Sequence, residues 1–329
     1  MRLKIQNIGM IEYADIKLDG LTVIAGENDT GKSTAGKVLY SIVKSISKEY
    51  KVSLLSLQNN FNKYFDSDIS QNGSAYFQID RDDLLTLKID ILNNICSFNK
   101  EEVETSFFIP ENRVSNVLMI ETPLVWNLVD LLTKLPMIED EMNIELQYPH
   151  IMKDLHWNLS FKSRENSLNI SKTISKIING EFLKNNAGDF YFQKDNKKIK
   201  LINTATGIKY FGILQTLSDN NHLYQGQILI LDGPEVHLHP KWQLELAKVI
   251  VNLSENGVII LVNSHSPYII EALEKFSKNK DKNHFYLAEN GKIDKVNNSN
   301  SDTLAKIFTK LSEPFEEFDK IDSLRLQNG

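Results

Sequence analysis

The first fifty residues combine an alternating apolar pattern, a short apolar run and a helical pattern. Residues 3–18 alternate roughly between apolar and polar side chains around a turn near Gly9, which predicts a β-hairpin. Residues 21–25 form a short apolar run that leads into Gly26, as expected of a buried parallel strand entering a loop. Over residues 32–48 the apolar positions recur at helical spacing, so a helix should follow that loop.

The middle of the chain gives weaker patterns between residues 52 and 203. The segments that stand out predict two hairpins, one core strand and two helices. The hairpins cover residues 76–89 and 190–202, the strand residues 117–120, and the helices residues 123–134 and 168–178.

The last third of the chain alternates strands with helices more clearly. Two apolar runs predict buried strands, and three segments around them predict helices, the last of which can begin at Pro267. The strands cover residues 228–231 and 258–262, and the helices residues 206–217, 241–253 and 267–275. Such alternation predicts an α/β fold with a mostly parallel sheet and helices on its faces.

Composition and charge narrow the class of protein. Hydrophobic residues make up 41% and charged residues 24% of the 329 residues, the balance of a globular protein with a sizeable core. The net charge of −6 gives no bulk positive field for DNA, so a protein partner is favoured over a nucleic acid. The single cysteine, Cys96, excludes an intramolecular disulfide, and no signal peptide or long apolar run occurs. We therefore expect a cytoplasmic protein without a membrane span.

Residues 26–33 carry the motif G-x-x-x-x-G-K-[ST] at every fixed position. The glycines let backbone N–H groups turn inward around the β- and γ-phosphates of a nucleotide, and the following helix adds the positive end of its dipole. Lys32 supplies a mobile charge for the phosphate oxygens, and Ser33 offers a hydroxyl to Mg²⁺. We expect a bound ATP to contact Gly26, Glu27, Asn28, Asp29, Thr30, Gly31, Lys32, Ser33 and Thr34.

A second motif places a carboxylate at the end of a predicted strand. The apolar residues 228–231 are followed by Asp232, and ligands of open α/β sheets bind at the carboxyl ends of the strands. Asp232 can therefore reach a Mg²⁺ ion that Ser33 also holds. An ordinary strand that ends in a turn aspartate is the alternative.

Three further segments surround this carboxylate in the sequence. They are Thr-Ala-Thr-Gly-Ile-Lys at 204–209, Pro-Glu-Val-His-Leu-His-Pro at 234–240 and Asn-Ser-His-Ser-Pro at 263–267. Together with the opening motif, they resemble the ABC-type ATPases of the overcoming-lysogenisation-defect (OLD) group, which includes AAA-family ATPases of bacterial phage-defence operons. The resemblance covers roughly residues 1–50 and 200–275. It implies an ABC-type P-loop core with an antiparallel β subdomain and an α-rich insertion before the signature motif.

The resemblance also implies a mechanism and partners. Such ATPases close as head-to-tail dimers with two ATP molecules between the P-loop of one subunit and the signature element of the other. Thr206 and Gly207 are similar to that signature, and His265 is similar to the switch histidine near the γ-phosphate. We expect a homodimer or higher oligomer that controls a separately encoded effector in phage defence. The core would comprise residues 1–50 and 200–329, and residues 51–199 would carry β-hairpins and an inserted helical lobe.

The chain departs from the family at one position. The family's Walker B aspartate is usually followed by a glutamate that positions the attacking water, and this chain has Gly233 there. Loss of a general base commonly costs ~10²–10⁴ in rate. Glu235 can replace it if the turn bends this side chain inward; otherwise slow turnover with tight ATP binding is expected. The family's Mg²⁺-sensing glutamine has no clear counterpart in the sequence.

Other functions stay open on the sequence alone. A non-hydrolysing scaffold is favoured by Gly233, and a DNA-clamping ATPase would need a basic groove on the closed dimer. A transporter subunit is disfavoured because no Leu-Ser-Gly-Gly-Gln signature occurs. A zinc site at His237 and His239 lacks cysteine or acidic neighbours beyond Glu235, so these histidines are expected in a dimer-contacting loop. The residues after His265 are too few for the Toprim nuclease domain of the OLD group, and sustained heptads are absent.

Overall fold

A computed structural model of the chain describes residues 1–46, 52–66, 68–79, 85–98, 117–143, 149–163, 165, 167–185 and 188–327. The strands, in chain order, are β1 (Arg2–Ile8), β2 (Ile11–Lys17), β3 (Leu21–Ala25), β4 (Asn72–Ile79), β5 (Leu85–Leu92), β6 (Ile95–Phe98), β7 (Val117–Ile120), β8 (Glu181–Lys184), β9 (Phe190–Lys194), β10 (Lys197–Lys200), β11 (Ile228–Asp232), β12 (Ile259–Ser264), β13 (Asn283–Glu289) and β14 (Lys292–Asp294).

The helices alternate with the later strands. They are α1 (Lys32–Ser45), α2 (Leu54–Phe65), α3 (Val129–Met142), α4 (His150–Ser160), α5 (Ser171–Ile178), α6 (Thr206–Asp219), α7 (Pro240–Glu255), α8 (Pro267–Phe276) and α9 (Asn300–Gln327). Pro240 and Pro267 occupy the first turns of α7 and α8, where the missing N–H of proline costs no hydrogen bond.

The described strands form an eleven-stranded sheet and a separate three-stranded one. The large sheet has the order β6-β5-β4-β1-β2-β14-β13-β3-β12-β11-β7, and the small one the order β10-β9-β8. The half that runs from β13 to β7 is parallel, and the half from β6 to β2 is antiparallel. The sequence-based α/β prediction is therefore confirmed, and the antiparallel part continues the same sheet.

The parallel strands are covered on both faces. Along β11, Leu229 and Leu231 pack into one hydrophobic core, whereas Ile228 and Ile230 pack into the other. Residues that alternate along a strand point to opposite faces, so a continuous apolar run is needed where both faces are buried. Helix α1 packs on one face, and α6, α7 and α8 pack on the other. This packing fixes the carboxyl ends of β3, β11 and β12 at one edge of the sheet.

Several predicted boundaries are wrong in detail. Helix α1 ends at Ser45, and residues 47–48 of its prediction lie outside the described residues. The predicted helix over 123–134 is a 3₁₀ turn, Pro123–Asn127, followed by α3. The predicted helix over 168–178 begins only at Ser171.

The segment of residues 51–199 contributes to both sheets. Strands β4 to β7 pair into the large sheet, and β8 to β10 form the small one. Helices α3, α4 and α5 fill the sequence between these strands. Within the described residues, no helix is long and apolar enough to cross a membrane.

Candidate nucleotide site

A cleft of about 350 Å³ lies at the carboxyl ends of β3, β11 and β12. Its lining brings together the loop before α1, the residues that end β11 and the turn after β12. The lining residues are Met10, Asn28, Asp29, Thr30, Gly31, Lys32, Ser33, Thr34, Asp232, Gly233, Asn263, Ser264 and His265. The fold thus gathers in one cleft residues of three motifs that are far apart in the sequence.

At two positions, the loop before α1 lies so close to neighbouring strands that only glycine fits. Gly31 has a φ of 88°, and a Cβ there would lie 2.6 Å from Ile11 Cγ1. A Cβ on Gly26 would collide with the carbonyl oxygen of Ala288 on β13. Asp29 also has a positive φ of 62°, which aspartate tolerates better than most residues. The loop conformation is therefore set by packing against β2 and β13 as well as by its own sequence.

The side chain of Lys32 folds back over its own loop. Its Nζ donates to the carbonyl oxygen of Gly26 at 2.9 Å and also to the carbonyl of Glu27. Burial lowers the pKa of Lys32, although the carboxylates of Asp232, Glu235 and Glu27 oppose this effect. The ammonium group is thus held beside the cleft by neutral acceptors that a phosphate could replace.

Asp232 is fixed by an amide from the neighbouring strand. Asn263 Nδ2 donates to Asp232 Oδ1 at 3.0 Å and to the backbone oxygen of Lys32 at 2.9 Å. Asn263 is level with Asp232 in the parallel β11–β12 register, which explains the contact. One amide therefore ties the start of α1 to the Asp232 carboxylate. Ser33 lines the same cleft.

Glu235 lies behind the cleft and does not line it. The turn after β11 bends its side chain inward, and the residue is only 4% exposed. Glu235 Oε1 accepts hydrogen bonds from Ser264 Oγ and from the backbone N–H of His265, both at 2.8 Å. The same oxygen lies 3.2 Å from His265 Nδ1. The carboxylate therefore organises the turn after β12 and contacts the cleft through His265.

Gly233 has a structural reason to be glycine. Its φ is 61°, in the left-handed region, where a side chain is strained. Its N–H donates to the carbonyl of Asn263 at 2.9 Å, and its own carbonyl accepts from Val236 N at 3.1 Å. The backbone conformation that turns Glu235 inward thus disfavours a second glutamate at position 233.

Thr206 and Gly207 begin α6 outside this cleft. Neither residue is among those that line it, and both belong to the described part of the chain. A Cβ on Gly207 would lie 2.9 Å from Leu238 Cδ2 and 3.1 Å from the carbonyl oxygen of His237. Close packing against the loop after β11 is therefore one reason for glycine here.

The two histidines of that loop have separate local roles. His239 Nδ1 accepts from the backbone N–H of Lys241 at 3.2 Å and caps α7. His237 has a positive φ of 66° and an exposed side chain. Among the described residues, no group of three or more His, Cys, Asp or Glu side chains could hold a metal ion.

Glu121 is a site residue that sequence reasoning did not assign. It follows β7, which pairs in parallel with β11 so that Ile120 is opposite Leu231, and Glu121 is therefore level with Asp232. Burial raises the pKa of Glu121, and Asp232 raises it further, whereas Lys37, 3.6 Å away, opposes both. Glu121 lines a neighbouring cleft of about 610 Å³ that shares Met10, Ser33 and Thr34 with the first. In the sequence, Glu121 is marked only by the Ile-Glu-Thr-Pro segment that follows an apolar run. The strand pairing is what shows that Glu121 lies beside Asp232.

Parts of the chain are similar to known proteins. Residues 163–271 match a family described as an AAA domain, putative AbiEii toxin, Type IV TA system. An SMC head bound to the C-terminal winged-helix domain of ScpA superimposes with a TM-score of 0.50 at 14% identity, covering 89% of this chain and 96% of that one. The SMC head domain of Thermotoga maritima gives 0.46 at 12% identity, covering 89% and 96%. An ATP-binding cassette of an ABC transporter in its ADP conformation gives 0.41 at 14% identity, covering 95% and 96%. The match at a TM-score of 0.50 shows that the chain shares the fold of SMC head domains.

Proposed function

We propose that the chain binds ATP with Mg²⁺ and hydrolyses it slowly, as a nucleotide-dependent switch. The observation that carries this proposal is the cleft in which the loop of residues 28–34, Asp232 and His265 meet at one edge of the sheet. P-loop ATPases hold a magnesium triphosphate with this combination of groups. The AAA family match over residues 163–271 and the shared fold support an ATPase.

In this proposal, the triphosphate is held by the loop and by Lys32. The ammonium group exchanges the carbonyl oxygens of Gly26 and Glu27 for phosphate oxygens. When bound, Mg²⁺ would neutralise part of the negative charge of the phosphates. Ser33 and Asp232 would hold it, and they fit because both line the cleft and offer oxygen ligands. Asn263 holds Asp232 Oδ1 and so orients the carboxylate.

Glu235 and His265 act together in place of the missing glutamate at position 233. Glu235 Oε1 favours the imidazole tautomer with its proton on Nδ1, because the two atoms lie 3.2 Å apart. The Nε2 atom of His265 is then free to accept a hydrogen bond from a water molecule at the γ-phosphate. The side chain of His265 is 49% exposed at the cleft, which allows this contact.

The complete site is shared between two copies of the chain. Thr206 and Gly207 lie away from the cleft of their own chain, which supports their action on the nucleotide of a partner copy. A head-to-tail dimer with two-fold symmetry would form two such sites. ATP would favour the closed dimer to the extent that it binds that state better.

The dimer controls a separately encoded effector in bacterial antiphage defence. The family description names a toxin–antitoxin system, which by its name has two components. An SMC head of the same fold is bound to a winged-helix domain of another protein. Residues 1–50 and 200–329 would form the ATPase core in the cytoplasm, and residues 51–199 would carry the lobe that meets the effector.

The test is ATP turnover by the purified protein beside Lys32→Ala and Glu235→Gln, with the mass measured with and without ATP. We expect slow turnover that both substitutions abolish, and an ATP-dependent dimer that Lys32→Ala abolishes. An ATP-dependent dimer without any turnover would make the protein a non-hydrolysing scaffold. Turnover that survives Lys32→Ala would place the activity outside this cleft.

A further inference from the structure

Three buried side-chain oxygen atoms in and around the nucleotide cleft lack hydrogen-bond partners among the described residues: Asn263 Oδ1, Glu235 Oε2 and the Tyr210 hydroxyl. The last two are considered together because neither belongs to a residue that lines the cleft. Among the described residues, none lies within hydrogen-bonding reach of Glu235 Oε2 or of the Tyr210 hydroxyl. Glu235 is 4% exposed and Tyr210 is 1% exposed, so solvent does not satisfy either group. Buried polar atoms without partners are rare because each loses its hydration without replacement.

The position of Tyr210 connects these two atoms. It lies on α6, one turn after Thr206 and Gly207, and its ring belongs to the core on that face of the sheet. Burial raises the pKa of Tyr210, and the charges of Glu235 and Asp232 raise it further. The hydroxyl is therefore within electrostatic reach of both carboxylates.

The first turn of α6 is also in mechanical contact with the loop that carries Glu235. Gly207 packs directly against Leu238 and the carbonyl of His237. The rings of Phe211 and Trp242 meet edge to face, with centroids 5.6 Å apart, and connect α6 to the start of α7. The first turns of α6 therefore pack against the loop formed by residues 233–239 and against the start of α7.

We propose that Tyr210 is a positioning residue that couples the start of α6 to Glu235. When the nucleotide of a partner copy contacts Thr206 and Gly207, the Tyr210 hydroxyl donates to Glu235 Oε2, directly or through one buried water molecule. This bond satisfies both orphaned oxygens and aligns Glu235 with His265. The proposal rests on the shared ATP site proposed above. It explains why hydrolysis would be slow until the dimer has closed, because Glu235 is aligned only then.

The bond has a spectroscopic consequence. A hydrogen bond to a charged carboxylate is short and strong, so its loss in Tyr210→Phe should shift the ¹³C carboxyl signal of Glu235 in the nucleotide-bound dimer. Because the phenyl ring keeps the core filled, a purely structural role of Tyr210 would leave this signal unchanged.

Thr216 provides a matched control on the same helix. Its hydroxyl is also buried without a partner among the described residues, and Thr216 follows Tyr210 towards the C-terminal end of α6. Thr216→Val removes this hydroxyl at nearly constant volume, as Tyr210→Phe does. Any effect common to both variants comes from the packing of α6 and not from Glu235.

The experiment measures kcat, the KM for ATP, and the ¹³C carboxyl chemical shift of Glu235 with Mg²⁺ and a non-hydrolysable ATP analogue. The signal is identified by its loss in Glu235→Gln. We expect Tyr210→Phe to lower kcat about tenfold, as loss of one hydrogen bond to a charged group would, with KM within about twofold. The ¹³C carboxyl signal of Glu235 should shift in Tyr210→Phe, and Thr216→Val should change neither kcat nor this signal.

Equal effects of the two variants, or an unchanged Glu235 carboxyl signal in Tyr210→Phe, would overturn the proposal. The carboxyl signal can be measured without turnover. If the parent protein proves inactive, the ATPase proposal fails, and a Glu235 signal that Tyr210→Phe shifts and Thr216→Val does not still demonstrates the coupling.

Discussion

Glu235 Oε1 lies 3.2 Å from His265 Nδ1, and the same oxygen accepts the backbone N–H of His265 at 2.8 Å. The carboxylate is buried, whereas the imidazole is half exposed at the nucleotide cleft. A buried acid that orients an exposed base is a common way to place a proton acceptor. The pair comes from two loops that follow neighbouring parallel strands, β11 and β12.

His265→Ala should lower kcat by about 10²-fold, within the range for loss of a group that orients water, while the KM for ATP changes little. Steady-state turnover at saturating ATP measures this. The control is His284→Gln, a histidine at the opposite edge of the sheet whose Nε2 lies 2.5 Å from Asp19 Oδ1. An equal loss in both variants would mean that His265 supports the fold and does not contribute to the reaction.

Gly233→Glu places a glutamate directly after Asp232, as in the ATPases that the sequence resembles, but it should not increase turnover. Since φ at this position is 61°, a side chain there should lower the free energy of unfolding by about 1–2 kcal/mol. Denaturant unfolding measures the loss, and Gly233→Asn should cost less because asparagine tolerates positive φ. Turnover should not rise in Gly233→Glu. Faster turnover at unchanged stability would show that the backbone adapts and that Glu235 is dispensable.

The apolar runs predicted the central strands because burial on both faces leaves little freedom in sequence. Strands β3 and β11 match their predicted residues, since Leu21–Ala25 and Ile228–Asp232 pack into cores on both sides. Helices α2 and α4 and strands β6, β8, β13 and β14 were not predicted. The buried residues of α2 face only one core, and β13 gains its place from parallel pairing with β3, which is distant in sequence.

Glu121→Gln should make the protein more stable at neutral pH. The folded protein raises the pKa of Glu121, so it binds the proton more tightly than the unfolded chain does. The free energy of unfolding therefore falls as the pH rises from the ordinary carboxyl pKa to the raised pKa of Glu121. Above the raised pKa, the protein stays less stable by this amount. The gain from Glu121→Gln should be present at neutral pH and vanish below the ordinary carboxyl pKa. Urea unfolding over this pH range measures it.

A gain that persists at acid pH would show that the glutamine packs better for reasons unrelated to charge. Lys37→Met provides the matched control, because it removes the cation 3.6 Å from Glu121. This variant should raise the pKa of Glu121 further, so that ionised Glu121 lowers the free energy of unfolding at neutral pH by a larger amount.

The sequence predicted the site residues that belong to a recognisable motif. It did not predict contacts that form only when distant segments pack together. The loop of residues 26–34 and Asp232 have defined spacing, and the structure brings most of this loop to Asp232 and His265. The contact of Glu235 with Ser264 depends on a turn at Gly233 whose φ no sequence pattern specifies. Glu121 and Tyr210 reach the site through strand pairing and helix packing, which act between distant segments.

The shared ATP site is tested most directly by mixing two inactive variants. Lys32→Ala removes the phosphate-binding ammonium group, and Thr206→Glu places a negative charge at the start of α6. In a mixed dimer, one cleft retains its own Lys32 and the Thr206 of the other subunit. We predict that a one-to-one mixture recovers turnover that neither variant has alone, up to about a quarter of the parental value, which is the share of complete sites when the subunits pair at random. Turnover no higher than that of the separate variants would contradict a site shared between subunits.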